Sequence, residues 1–215
     1  MARSGTKPSV GHAGSAGGRE TRSALVRAAV EALKEVGFAG ASAREIARRA
    51  VCNQGLVFYH FGSVPNLLLA ALDSVSETRR QQYQAAVEGA TGLEGLVMVA
   101  QNVFEEDLDA GHIAVLAEMI AGTSSTPGLA AEVAARVAPW NEFTSAALRE
   151  VFESIPLGAA IEPGEAAHAV MALYLGLEML AHLDGDRTKA LALFTRARQL
   201  ATLVQMLGPA KEEAS

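Results

Sequence analysis

Half of the 215 residues are hydrophobic, so the chain can bury the core of one large domain or of two smaller ones. The single cysteine, Cys52, excludes an internal disulfide, which makes a reducing compartment the expected location. We find no secretory leader and no uncharged apolar run of about 18 residues. We therefore expect a cytoplasmic protein with no membrane span.

The net charge of −6 is distributed unevenly along the chain. Residues 1–62 carry nine Lys and Arg against four Glu, a balance of +5, whereas residues 63–215 carry nine basic against twenty acidic residues, a balance of −11. Salt screens charges over about 8–10 Å, so the local balance decides what each end attracts. The N-terminal part therefore suits nucleic acid, and the acidic remainder stays away from it.

The first 18 residues are rich in Gly and Ser and include Arg3 and Lys7, a composition typical of a disordered basic tail. Between residues 19 and 36 apolar residues recur at helical spacing, which predicts a helix that ends at Gly37. The residues expected to face inward are Leu25, Ala28, Ala29, Ala32, Leu33 and Val36.

The next segment predicts two short helices joined by a tight turn. Ser42 and Glu45 form a capping box, in which the Ser hydroxyl accepts from the Glu amide and the Glu side chain reaches back. A helix therefore starts at Ser42 and runs to about Ala50. Asn53 suits the N-cap of the following helix, which ends at Phe61.

Helical spacing continues to the end of the chain, and no alternating strand pattern appears, so the predicted fold class is all-α. We expect Pro139 to kink or break the longest segment. The predicted helices cover about 64–87, 92–109, 112–121, 128–154, 163–184 and 187–207. The predicted domain organisation is a tail at 1–18, a three-helix head at 19–63, a larger helical domain at 64–208 and a flexible tail at 209–215.

The two short helices have the pattern of a helix-turn-helix, in which the second helix enters the major groove of DNA. The apolar contact between them is provided by Ile46, Ala47 and Ala50 on the first helix and by Val57 and Phe61 on the second, which leaves the outward face of the second helix free. Gln can read an adenine edge, Leu can touch a thymine methyl group, and Tyr, His and Arg can donate to phosphate. The candidate DNA-binding residues are Arg44, Asn53, Gln54, Gly55, Leu56, Phe58, Tyr59 and His60, with Arg48 and Arg49 as further phosphate donors.

The segments "SAREIARRA", "LVFYHF" and "GSVPNLLLAALD" align without gaps with the N-terminal domain of the TetR family of one-component transcriptional regulators. The chain resembles that family over roughly residues 20–75. The resemblance implies a ligand-responsive regulator, expected to be a repressor, that binds a palindromic double-stranded DNA operator as a homodimer. Dimerisation places two recognition helices one turn of DNA apart.

Three positions depart from the family pattern. Val51 stands where the family has the glycine of the turn, and a β-branched residue tolerates a left-handed conformation poorly, so we expect a local change in the turn. Phe58 replaces a tyrosine and Val64 replaces a lysine, and each change removes a phosphate contact. DNA affinity is therefore expected to depend more on Arg44 and the basic tail.

The resemblance further implies that the remaining helices form a ligand-binding and dimerisation domain, whose last two helices close a four-helix bundle with a second copy. The two apolar stripes are Leu173, Leu177 and Leu180 with Ala166 and Ala169, and Leu191, Phe194, Ala197, Leu200, Ala201 and Val204. A buried face within one chain is the alternative interpretation of these stripes.

A pocket for a small apolar or amphipathic effector needs apolar walls and a few polar groups. The candidate ligand-binding residues are Met98, Phe104, His112, Met119, Trp140, Phe143, Tyr174 and Glu178, with Asn141 and His182 as further polar contacts. Any one of them is also explained as an ordinary core or surface residue.

An enzyme is the alternative class. Glu165 and His168 have the i, i+3 spacing that di-iron helical bundles use, and Asp109 with His112 is the nearest second pair. A di-metal site also needs two further carboxylates, and Asp109 precedes His112 across a predicted helix boundary at Gly111. We expect neither a catalytic residue nor a metal or other cofactor.

Overall fold

The computed structural model describes residues 13–153 and 158–206, and within these ranges the chain forms helices and no strand. This confirms the predicted all-α class. The helices are α1 (Ala13–Gly40), α2 (Ala43–Arg49), α3 (Gly55–Phe61), α4 (Val64–Glu88), α5 (Gly92–Ala110), α6 (His112–Gly122), α7 (Leu129–Glu153), α8 (Pro163–Asp184) and α9 (Thr188–Met206), with a short 3-10 turn at Gly158–Ala160. The chain divides into two compact units between Leu72 and Asp73, and α4 contains residues of both.

The helix boundaries lie close to those predicted, with two differences. α1 begins at Ala13, inside the segment expected to be a tail, while residues 1–12 and 207–215 lie outside the described part of the chain. α7 is continuous from Leu129 to Glu153 although Pro139 lies inside it. Of the kink or break expected at Pro139, the break does not occur, and α7 lacks one amide donor at that point.

The core of the N-terminal unit is formed by the inward faces of α1, α2, α3 and the start of α4. Gly37 adopts φ 69°, a conformation that favours glycine, and so interrupts α1 where the sequence predicts its end. α2 packs against both α1 and α3. The buried side chains include Leu25, Ala29, Ala32, Leu33, Ile46, Ala47, Val57, Leu67 and Leu68, whereas Val36, expected to face inward, is 43% exposed.

The turn between α2 and α3 keeps a left-handed residue despite its unusual sequence. Val51 adopts φ 53°, the one positive φ of a non-glycine residue in the described part of the chain. Its side chain is 92% exposed, so no packing interaction offsets the strain. The local change expected at Val51 is therefore not a different turn but a strained residue in the left-handed conformation.

The C-terminal unit is held together by two helix pairs, α5 with α9 and α7 with α8. Phe104 on α5 is fully buried and lies at the centre of one core cluster. Its ring contacts those of Tyr174 and Phe194, with centroid separations of 5.8 Å and 5.2 Å. The other residues of this cluster are Ala181, Ala190, Leu108, Leu177 and Leu191.

α8 and α9 also present apolar residues outward. Leu173, Leu180 and Leu183 on α8 are exposed, as are Leu193, Leu200, Leu203 and Met206 on α9. The alternative interpretation of the predicted stripes therefore holds for Leu177, Leu191, Phe194 and Ala201, which pack inside the chain. Because α8 is apolar on two faces, its 22 residues are long and apolar enough to cross a membrane by length and composition alone.

The strained turn gives a direct test of this fold. We expect Val51→Gly to raise the free energy of unfolding by about 1 kcal/mol, because glycine adopts the left-handed conformation without a clash and the gain exceeds its entropic cost. Urea denaturation followed by circular dichroism measures the change. Val51→Thr keeps the branched Cβ and is the matched control, so an equal gain from both variants would show that strain is not the cause.

Candidate DNA-binding surface and ligand cavity

Ser42 fixes the start of α2. Its hydroxyl accepts a hydrogen bond from the amide of Glu45 at 3.2 Å, which confirms the predicted N-cap. The second half of the predicted capping box is absent, because the amide of Ser42 donates to the carbonyl of Gly40 and the Glu45 carboxylate is held by Arg48 and Arg49.

The N-cap of α3 is Gln54 rather than the predicted Asn53, and Asn53 contributes from one residue earlier, where its Oδ1 accepts from the amide of Gly55 at 2.7 Å. Val57 is fully buried and anchors α3 to the rest of the unit. The opposite face is open: Tyr59 is 80% exposed and Phe58 48% exposed. Gln54 and Gly55 are also exposed, while Leu56 and His60 are half-buried. The side chains of Gln54, Phe58 and Tyr59 are therefore accessible, which a recognition helix requires, whereas Leu56 and His60 are only partly so.

The arginines of α2 differ in the charge that they leave available. Arg48 and Arg49 pair with Glu45, each at 2.7 Å, and Arg49 also pairs with Glu35 at 2.8 Å. Hydrogen bonds from Arg48 and Arg49 lower the pKa of Glu45 to about 2, so this carboxylate stays charged and neutralises them in part. Arg44 is exposed and makes no ion pair with a described residue. It is the arginine of α2 whose charge remains available for a phosphate.

A buried ionic network occupies the C-terminal unit, centred on Asp107 of α5, which is fully buried. Its carboxylate accepts from Arg79, from Tyr83 Oη at 2.6 Å, from Tyr174 Oη at 2.6 Å, and pairs with His112 Nδ1 at 3.1 Å. Arg79 and Tyr83 lie on α4, His112 on α6 and Tyr174 on α8. One carboxylate therefore links four helices.

The network keeps Asp107 charged. Burial alone would raise the pKa of Asp107, but hydrogen bonds from His112 and the tyrosines, together with the charge of Arg79, hold it below its ordinary value. Burial raises the pKa of both Tyr83 and Tyr174, which keeps their hydroxyls protonated as donors. Glu178 differs, because burial and the charge of Asp107 raise its pKa to about 8, and its Oε1 has no partner among the described residues.

Beside this network lies a cavity of about 240 Å³. Helices α4, α5, α7 and α8 supply its walls, which are predominantly apolar. Its aromatic side chains are Tyr83, Trp140, Phe143 and Tyr174, and Arg79 is the charged residue of its lining. The rest of the lining is Val87, Leu93, Leu96, Val97, Val99, Ala100, Val103, Thr144, Ala147, Leu148, Val170 and Met171.

The predicted ligand-binding residues divide into three groups. Trp140, Phe143 and Tyr174 line the cavity. Phe104 and Met119 do not, because both are fully buried in the core, and Met98 does not, because it points away and is 47% exposed. His112 is bound to Asp107, and Glu178 with His182 lines a second, smaller cavity of about 170 Å³.

Sequence reasoning missed Asp107, Arg79 and Tyr83. A signal for Asp107 is present: it lies seven residues after Ala100 and three after Phe104, on the apolar face of α5. A charged residue in that register must be paired when the helix is buried. The same rule applies to Arg79, which follows the buried Val75 by one helical turn.

The residues of the alternative metal site serve other roles. Glu165 and His168 are both exposed on α8. Asp109 pairs with Arg187 at 3.0 Å, and His112 pairs with Asp107. Within residues 13–153 and 158–206 no group of three or more His, Cys, Asp and Glu side chains is placed to hold a metal ion.

The chain has a helix-turn-helix in its N-terminal unit and a larger helical unit with an apolar cavity. This arrangement places it in the class of all-helical DNA-binding proteins. A family model described as "Bacterial regulatory proteins, tetR family" matches residues 25–71. The N-terminal domain of the chain is thus similar to that of the TetR family, which agrees with the resemblance found in the sequence.

Individual known proteins are similar to this chain in sequence over the head and in fold over most of its length. An HTH-type transcriptional repressor of Mycobacterium tuberculosis is 44% identical over 57 residues, which are 26% of this chain and 30% of that relative's length. A TetR transcriptional regulator from Chloroflexus aurantiacus has a TM-score of 0.71 at 22% identity, covering 87% of this chain and 96% of that one. FadR from Bacillus subtilis, solved with stearoyl-CoA, has a TM-score of 0.68 at 13% identity, covering 83% and 96%. The fold is thus shared over most of the chain, while the sequence match is confined to the head.

The Arg79–Asp107 pair gives a test of the network. We expect Arg79→Leu to lower the free energy of unfolding by about 3–5 kcal/mol, because it leaves the carboxylate of Asp107 buried without its cation. Urea denaturation measures the loss. Arg80→Leu is the matched control: Arg80 is exposed, pairs only with Glu77 among the described residues, and its removal should cost no more than about 1 kcal/mol. Equal losses would contradict the proposed role of Arg79.

Proposed function

We propose that the chain is a cytoplasmic transcription regulator that binds a palindromic operator as a homodimer, represses from it, and is released by a small apolar or amphipathic molecule. The observation that carries this proposal is the open face of α3 in a head that matches the TetR family at residues 25–71. The repressor from Mycobacterium tuberculosis, related over the same region, supports repression as the output.

The contacts of α3 and α2 with DNA follow from their chemistry. Gln54 presents a paired donor and acceptor that can read an adenine edge, and Leu56 can touch a thymine methyl group. Tyr59 and Arg44 donate to phosphate oxygens, with Asn53, Gly55, Phe58 and His60 completing the surface. Phosphate contacts contribute affinity and its salt dependence, whereas base contacts contribute sequence preference.

This division of roles gives the experiment that tests DNA binding. On an operator selected from genomic fragments, we expect Arg44→Ala to weaken binding of matched and mismatched sequences alike and to reduce the slope of log K against log salt by about 1. Gln54→Ala should instead cost about 1–3 kcal/mol on the matched operator and much less on mismatched DNA. Fluorescence anisotropy at several salt concentrations measures both effects.

Arg80→Ala is the control for charge, because Arg80 is exposed in the C-terminal unit and paired with Glu77. The proposal fails if the unaltered protein shows no salt-dependent binding to any genomic fragment. The assignment of roles fails if Arg44→Ala changes sequence preference as much as Gln54→Ala does.

The outward apolar residues of α8 and α9 support the dimer. Leu173, Leu180 and Leu183 recur at helical spacing on α8, and Leu193, Leu200 and Leu203 do so on α9. Soluble monomers rarely expose contiguous apolar surface of this kind, and two such helix pairs can close a four-helix bundle. A dimer also explains why one short recognition helix per chain is sufficient for operator binding, since the two helices of the dimer bind two half-sites together.

Leu180→Arg tests this surface. We expect the variant to be monomeric in size-exclusion chromatography with light scattering, because it places a charge in the centre of the bundle, and to bind the operator at least about tenfold more weakly. Ile120→Arg, which makes the same change at an exposed position on α6, should remain dimeric. A dimeric Leu180→Arg variant would place the interface elsewhere.

The cavity supports control by a ligand. Its lining includes Arg79 and Tyr83 of α4, the helix that contains residues of both units. The FadR structure with stearoyl-CoA shows that another protein of this fold holds an acyl compound. In our proposal a ligand displaces α4, which moves the recognition helices of the dimer away from a spacing of one helical turn. The effect is a population shift limited by the ligand's preference between the two spacings.

A further inference from the structure

We propose that the ligand of the cavity is an uncharged, mainly apolar molecule with a hydrogen-bond acceptor, and that Arg79 binds this acceptor. This inference rests on the proposed function, because it takes the cavity as the effector site, and it adds the chemical class of the effector. The proposed ligand also differs from that of the structural neighbour solved with stearoyl-CoA, because stearoyl-CoA carries several negative charges.

The walls require an apolar ligand. Besides the indole of Trp140, the polar side chains of the lining are those of Arg79, Tyr83, Thr144 and Tyr174. All other lining residues are aliphatic or aromatic. An engineered cavity of about 150 Å³ with similar walls binds benzene, so a cavity of about 240 Å³ holds a somewhat larger molecule.

The charges in the lining exclude an ionised headgroup. Arg79 is the charged residue among the lining, and its guanidinium already pairs with the buried carboxylate of Asp107. The hydroxyls of Tyr83 and Tyr174 donate to the same carboxylate. A ligand carboxylate would enter a site whose positive charge is already compensated, and a ligand ammonium would meet no free carboxylate in the lining. Either ion would lose its hydration without a counter-ion.

Arg79 is held in a fixed position with donor capacity left over. Its guanidinium carbon lies 5.0 Å from the centroid of the Trp140 ring and 5.4 Å from that of Tyr83. Nε donates to Tyr83 and Nη2 to Asp107, whereas Nη1 makes no hydrogen bond to a described residue. A carbonyl or similar acceptor on the ligand can take the hydrogen bond of Nη1 without disturbing the ion pair.

Trp140 makes the test possible, because it is the single tryptophan of the chain and lines the cavity. Its fluorescence reports binding of three probes with the same nine-carbon chain: 2-nonanone, nonanoate and nonylammonium, all at pH 7. We expect 2-nonanone to bind at least about tenfold more tightly than either ion. Equal or tighter binding of nonanoate or nonylammonium overturns the inference.

Asp107→Asn sharpens the test, since it removes the negative charge that compensates Arg79 while keeping the shape of the side chain. We expect the preference to move toward the anion, so that the ratio of nonanoate to 2-nonanone affinity rises at least about tenfold. Glu106→Gln removes one charge at the neighbouring exposed position, outside the cavity lining, and should leave the ratio unchanged. An unchanged ratio in a folded Asp107→Asn variant overturns the role given to Arg79.

The comparison of probes on the unaltered protein stands even if Asp107→Asn fails to fold. Saturable binding with the wrong headgroup preference overturns the ligand class and leaves the cavity as the effector site. No saturable change with any of the three probes overturns both. The operator measurements use no ligand, so DNA binding is judged independently of either result.

Discussion

The carboxylate of Asp107 has to be compensated inside a helical core, and much of the C-terminal unit is arranged to do so. A single buried aspartate accepts from a guanidinium and two phenols and pairs with an imidazole, and these groups come from α4, α6 and α8. Apolar packing is tolerant of small rotations, whereas hydrogen bonds to a buried charge fix direction and distance. The relative register of these helices is therefore set by the ionic network as well as by the surrounding side chains.

The head meets a different requirement, because it must expose positive charge on the surface of a small domain. Arg48 and Arg49 both pair with Glu45 on α2, and Arg49 also pairs with Glu35, which links α2 to α1, while Arg44 is left exposed. The arginines that stabilise the head and the one proposed to contact DNA are thus separate members of one short sequence. The tight turn between α2 and α3 requires a residue in the left-handed conformation. Because the sequence has the branched Val51 at this position, the turn contains backbone strain.

The sequence predicted the helices closely and the site only in part. Capping at Ser42, the break at Gly37 and the apolar spacing of the later helices are local signals, so they can be read without the fold. The cavity is not local, because its walls come from helices far apart in the chain. Trp140, Phe143 and Tyr174 were found by residue type, but Phe104 and Met119 have the same chemistry and lie in the core. Phe104 packs against Phe194 of α9 and Met119 is buried on α6, so only the packing of the helices distinguishes the two groups.

Pro139 adds a mechanical property to the cavity. It immediately precedes Trp140 and lies one helical turn before Phe143, both of which form the cavity wall. Because proline has no amide hydrogen, the carbonyl of Ala135 loses its partner in the next turn, and the bending stiffness of α7 is lowest beside those two rings. Among the helices that surround the cavity, α7 is accordingly the one whose backbone ladder is weakened at the cavity wall, whereas Arg79, Tyr83 and Tyr174 on the α4 and α8 walls are held by their hydrogen bonds to Asp107.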